Sequence, residues 1–131
     1  AGYGKSAQFS DDLMEWDYGQ YEGRTTASIK DEAPGWTIWT GNLPGGETLA
    51  QVTRRADNIV KLVKAAGHDT VIFAHGHLLR ILAACWLGLH PDAGRLFFLG
   101  TASLSILGYE RGNGVIITWN NVCHLPMDNS V

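Results

Sequence analysis

Cysteine is scarce. Cys85 and Cys123 are the only two in 131 residues, too few for a disulfide framework, and the expectation is a reducing, cytoplasmic setting. Long apolar runs are absent too. The longest, residues 81–89, has nine residues, half of the roughly 18 that a transmembrane helix needs. Neither sign of charge dominates: 10 Lys and Arg stand against 13 Asp and Glu, for a net charge of −3. No basic cluster could track a phosphate backbone, so neither nucleic acid nor membrane is an expected partner. The chain lacks an initiator Met, and no basic-then-apolar leader precedes Asp11. That predicts a chain that begins within a longer protein or has lost a leader. What is present, 45% hydrophobic and 18% charged residues, is the balance of one globular domain.

Residues 1–10 are small and polar without a period and read as a connection. Residues 13–23, LMEWDYGQYEG, crowd two Tyr, a Trp and three carboxylates between turn-forming glycines, which predicts a shaped loop. Thr25 or Thr26 can cap a short helix that Pro34 ends. A turn-rich stretch follows over residues 35–46. From Glu47, apolar Leu49, Val52, Ala56, Ile59, Val60 and Val63 recur at helical spacing up to Gly67. Residues 70–74, TVIFA, are a continuous β-branched and aromatic run, as in a parallel strand buried on both faces. A dense apolar pattern over 77–89 makes a strand–turn–helix unit with it. Runs at 102–109 and 115–119, joined by Glu110-Arg111-Gly112-Asn113-Gly114, predict a hairpin. Three helices, one buried strand and a hairpin are too few strands for an α/β sheet, which points to N-terminal strands outside these residues.

The segment Ala74-His75-Gly76-His77 sets an imidazole at a strand end, just before a helix N-terminus. Ligands of open α/β sheets bind in such places. The first free N–H groups of the helix and its dipole favour an anion, and His75 adds a charge or a proton. Phosphate is the natural anion. Gly76, without a Cβ, lets the backbone approach it closely.

Together with Leu13-x-Glu15-x-x-x-Gly19-x-x-Glu22-Gly23, and with Gly45-Gly46-Glu47-Thr48 opening a helix, this pattern resembles the histidine phosphatase superfamily, phosphoglycerate-mutase-like branch. The likeness runs over residues 13–107 and is nearest to short bacterial broad-specificity acid phosphatases. It implies a three-layer α/β/α fold with a mainly parallel sheet. It also implies phosphoryl transfer through a phosphohistidine, with no cofactor or metal and a small phosphorylated substrate. Within it Glu15 matches the acid that protonates the leaving oxygen, and His75 matches the second histidine of the phosphate pocket. The family's nucleophile stands in an Arg-His-Gly motif, and none occurs here. Residues 1–131 are therefore expected to be the C-terminal portion of one such domain. Mutase-type transfer is the alternative, as is a non-catalytic phosphate- or partner-binding relative. The short connection over residues 23–45 favours hydrolysis over the mutases with a longer insertion there.

Around this pair, Arg24, Trp16 and Tyr18 are expected to line the substrate entrance, with Gly76 and His77 touching substrate. Glu47 either supports the pocket or is an ordinary first-turn carboxylate. His75 and His77, two positions apart without a third convergent ligand, do not make a metal site. Arg54, Arg55 and Arg80 lie on helices and read as solvated or paired surface charges. Homodimerisation stays open.

Overall fold

A computed structural model describes residue 4 and residues 6–126. Three α-helices, α1 (Thr26–Glu32), α2 (Leu49–Ala66) and α3 (Gly76–Trp86), precede an antiparallel hairpin of β1 (Leu104–Glu110) and β2 (Asn113–Asn121). Thr25 caps α1, its side chain accepting from Ser28 N. A Thr48–Gln51 capping box starts α2, and Gly67, at φ 67°, ends it in the left-handed conformation. The helical repeat sends Val52, Ala56, Ile59 and Val60 inward from α2. They meet Leu78, Ile81, Leu82 and Trp86 of α3, and Trp16 and Leu43 from the loops close the cluster. β1 and β2 pair with irregular register between Leu104 and Leu107. The Trp86 indole joins helix to hairpin by donating to Gly108 O at 3.0 Å. No helix among the described residues is long and apolar enough to cross a membrane.

The α/β class stands, but the strand expected over residues 70–74 is corrected. This segment joins no ladder among the described residues, and the one sheet there is antiparallel. Its burial alternates where the sequence suggested burial on both faces. Ile72 and Ala74 pack against the core, whereas Val71 is 78% and Phe73 87% exposed. The reason is physical: a parallel strand is defined by neighbours, and no described segment lies alongside to supply them.

Residues 13–23 form a loop as expected, tightened by 3-10 turns at Asp11–Leu13 and Gly19–Tyr21. Its return is pinned to the turn before α2. Gln20 N donates to Pro44 O and Glu47 N to Asp17 O, both at 2.9 Å. The two backbones lie so close that a Cβ on Gly19 would collide with Pro44 O and Gly46 N. Gly19 also has φ 56°, so glycine is required there on both counts.

Candidate active site

The loop delivers Glu15 to the start of α3. Its Oε1 accepts from Leu78 N at 3.0 Å and from Trp16 N at 2.9 Å, while Oε2 accepts from His77 N at 3.1 Å. The anion at this helix terminus is thus the Glu15 carboxylate. That refines the expectation for these amides: the N–H groups foreseen for phosphate are engaged by the chain's own acid, as the helix dipole favours. His75 is the N-cap residue of α3, exposed and in extended backbone, and its side chain makes no capping bond. A Cβ on Gly76 would meet only Glu15 Oε2, at 3.9 Å. Close packing within the chain therefore does not demand glycine there.

His77 is boxed by rings. Trp16, Tyr18 and Trp39 surround it at centroid distances of 6.3, 5.8 and 5.6 Å. Nδ1 lies 2.8 Å from the Tyr18 hydroxyl and 3.9 Å from Glu15 Oε2. Burial pushes the His77 imidazole below its ordinary value, helped by Arg80 and opposed by Glu15. Burial and the Glu15 charge push the Tyr18 hydroxyl well above the usual tyrosine range. A protonated phenol can donate to Nδ1 of a neutral imidazole whose own proton is on Nε2, or accept from Nδ1 in the other tautomer. Of the other entrance residues, Trp16 is 2% exposed and packs in the core, its indole donating to Glu47 O at 2.8 Å. Trp16 thus supports the loop from within the core, and it also borders a second cleft with Trp39, Leu43 and Glu47. Arg24 lines a cleft that also reaches His77, and it forms an ion pair with Glu32 at 2.6 Å.

Glu47 precedes the N-cap of α2 and supports the loop. Its carboxylate accepts from Asp17 N at 3.1 Å and from Arg55 Nε and Nη2 at 2.8 and 2.5 Å. Arg55, expected as a solvated or paired surface charge, is paired with Glu47 but largely withdrawn from solvent. Its side chain is 14% exposed, and it also donates to Asp12 O, Met14 O and Glu15 O. Three carbonyls of the Glu15 loop thus converge on one guanidinium. Helical spacing carried no signal for this pair, because Glu47 lies before the N-cap and only Arg55 is on α2. Arg80 is likewise no solvated charge. It stacks 4.9 Å from the Trp39 centroid and donates to Gly94 O at 2.9 Å and Arg95 O at 3.2 Å. Arg54 is exposed, as expected.

The Glu47–Arg55 pair has a pH consequence. Burial opposes ionisation of Glu47, but hydrogen bonds from Arg55 and Asp17 N outweigh it, and the carboxyl sits below its reference value of 4.5. A carboxyl depressed on folding stabilises the fold fully above its unfolded pKa, and the contribution fades as pH falls through the folded value. Chemical denaturation followed from pH 7 to below 4 is therefore expected to show a loss of stability beginning under about 4.5. Glu47→Gln should remove that part of the slope. An unchanged slope in the variant would show that Glu47 carries none of it.

Comparison with known proteins bears on the family of the chain. The family model of the histidine phosphatase superfamily (branch 1) matches residues 1–122. An acid phosphatase of Mycobacterium tuberculosis is 42% identical over 102 residues, covering 76% of this chain and 50% of that protein. Sedoheptulose 1,7-bisphosphatase of Saccharomyces cerevisiae is 35% identical over 96 residues, covering 60% of this chain and 35% of that protein. The chain thus spans half or less of the length of these relatives. Among solved structures, the product of an open reading frame of Mycobacterium tuberculosis superposes with a TM-score of 0.81 at 38% identity, over 85% of this chain and 58% of that one. A mycobacterial glucosyl-3-phosphoglycerate phosphatase in complex with inorganic phosphate gives 0.70 at 27% identity, over 86% and 63%. With a family match over nearly its whole length and the α/β fold of these neighbours, the chain belongs to the histidine phosphatase superfamily.

Proposed function

We propose that residues 1–131 are the C-terminal portion of a single histidine phosphatase domain that hydrolyses phosphomonoesters through a phosphohistidine, with Glu15 as general acid and base. One observation carries the reading: a loop carboxylate is set against the first amides of α3, beside His75, where an anion is favoured. In this mechanism the nucleophile is a histidine of an Arg-His-Gly segment, which is not among these residues. It attacks phosphorus, the bond from phosphorus to the alcohol oxygen breaks, and the Glu15 proton goes to that oxygen. The Glu15 carboxylate then takes a proton from water as the water oxygen bonds to phosphorus. Phosphate leaves and both groups are restored. His75 and the α3 terminus stabilise charge on the phosphoryl oxygens in both steps. Protonated Glu15 accepts hydrogen bonds more weakly than its carboxylate, which eases release of the His77 and Leu78 amides toward those oxygens.

The 131 residues alone are expected to turn over no p-nitrophenyl phosphate. A longer protein that joins them to an Arg-His-Gly segment should do so without added metal. Turnover by a mass-verified 131-residue species would remove the proposed nucleophile. Loss of the longer protein's activity in EDTA, with rescue by a divalent ion, would replace this mechanism with a metal-dependent one. Mutase-type transfer predicts a phosphorylated alcohol as product in place of inorganic phosphate, and a non-catalytic relative predicts neither.

A further inference from the structure

A cleft of about 120 Å³ opens beside the Tyr18–His77 pair, and the mechanism above makes no use of it. Its walls are Tyr21, Trp36, Ile29 and Ile38, with Arg24 at one side. Tyr21 and Trp36 meet edge to face at a centroid distance of 5.5 Å. The Trp36 indole donates to Asn42 O at 3.2 Å, which fixes the ring. Since His77 lines this cleft and its backbone N holds Glu15, the cleft adjoins the carboxyl that would protonate a leaving oxygen. A leaving group attached to a phosphoryl at α3 would extend into it.

The charge of the cleft limits what that group can be. Arg24 is the one cation among the lining residues, and no carboxylate lines it. The guanidinium is already engaged: Nη1 and Nη2 donate to Glu32 at 3.0 and 2.6 Å, Nη2 donates to Ser28 O at 3.1 Å, and the group lies 5.4 Å from the Tyr21 centroid. A second phosphate or carboxylate on the substrate would compete with Glu32 for a partly exposed guanidinium, where an ion pair gains little, or stay unmatched against apolar and aromatic walls at a desolvation cost. An uncharged ring would not. Rings prefer offset or edge contacts with other rings, and a cavity of roughly 150 Å³ is known to take up benzene.

We propose that this cleft is the leaving-group subsite and that it takes an uncharged ring of aryl size, so that the preferred substrates are phosphomonoesters without a second anionic group. The assignment rests on the phosphomonoesterase reading, and four probes separate the two. Methylphosphonate tests the phosphate position alone, and phenol the ring position alone. Phenylphosphonate joins the two, and phosphonoacetate adds a second anion. Indole N–H resonances of a longer protein that joins these residues to an Arg-His-Gly segment report each titration. Phenylphosphonate is expected to bind at least roughly tenfold more tightly than methylphosphonate, the order of gain expected from one stacked ring. Phosphonoacetate should gain nothing, and phenol should shift the Trp36 signal. Trp36→Leu should erase the phenyl advantage and leave methylphosphonate binding unchanged. Phosphonoacetate as the tightest probe, or equal binding of phenyl- and methylphosphonate, would overturn the ring subsite while the phosphate reading stands. Phenol binding with no response to any phosphonate would keep the ring site and remove the phosphatase reading. Silence from all four probes would overturn both.

Discussion

Glu15→Gln, in a protein that joins these residues to an Arg-His-Gly segment, is expected to lower turnover of an alkyl phosphomonoester by roughly 10²–10⁴-fold, the usual size of a lost general acid. The loss should be smaller for p-nitrophenyl phosphate, whose leaving group needs little protonation while phosphoryl transfer to the enzyme limits the rate. His75→Ala removes the group proposed to stabilise the phosphoryl oxygens that all substrates share, and should impair the two esters alike. The structure adds a second consequence of the amide. Both Glu15 oxygens accept backbone N–H groups, Oε1 from Trp16 and Leu78 and Oε2 from His77. Glutamine supplies one accepting oxygen and one donating NH₂ group, so one of these contacts must become donor against donor. A change in the His77 or Leu78 amide resonance of the variant would register that misfit separately from the chemistry. Glu15→Asp is the control, because it keeps the proton and both acceptors but withdraws them by one methylene. Equal impairment of both esters in Glu15→Gln, with undisturbed α3 amides, would end the general-acid assignment.

Much of this architecture is legible residue by residue. Val52, Ala56, Ile59 and Val60 announce α2 because burial of one face imposes the helical period, and Gly67 ends it because a left-handed residue is needed there. The hairpin is legible from its turn, since Gly112 sits at φ 85° between β1 and β2. What fails to be legible is pairing across long sequence separation. Residues 70–74 have strand composition, but composition does not supply a neighbour, and Phe73 ends up exposed. The hold of Arg55 on the loop was illegible for the same reason. Its partners Asp12, Met14 and Glu15 offer backbone carbonyls, and carbonyls carry no residue-type signal. The sequence reading likewise put an open anion site at the start of α3 without seeing that Glu15, more than sixty residues earlier, fills it.

Arg55→Met is expected to be the most damaging change outside the reacting groups. Methionine keeps much of the side-chain length and apolar stem but removes every donor. Glu47 then loses its counter-ion, and Asp12 O, Met14 O and Glu15 O lose the group on which they converge. Removing one partner of a mostly buried, charge-assisted network costs about 2–4 kcal/mol, because the surviving groups keep their desolvation penalty without its compensation. The pair is only partly screened, with side chains 14% and 21% exposed, so the upper half of that range is not expected at high salt. The double variant Arg55→Met with Glu47→Leu should recover part of the loss, since no carboxylate then remains unpaired. Stability alone would not separate a positioning role from a structural one. The separating measurement is the leaving-group dependence. If Arg55 acts by holding the Glu15 loop, its loss must depress turnover of alkyl phosphates more than of p-nitrophenyl phosphate, the same asymmetry as Glu15→Gln at smaller amplitude. An Arg55→Met enzyme that melts early but treats both esters like the parent would confine Arg55 to stability.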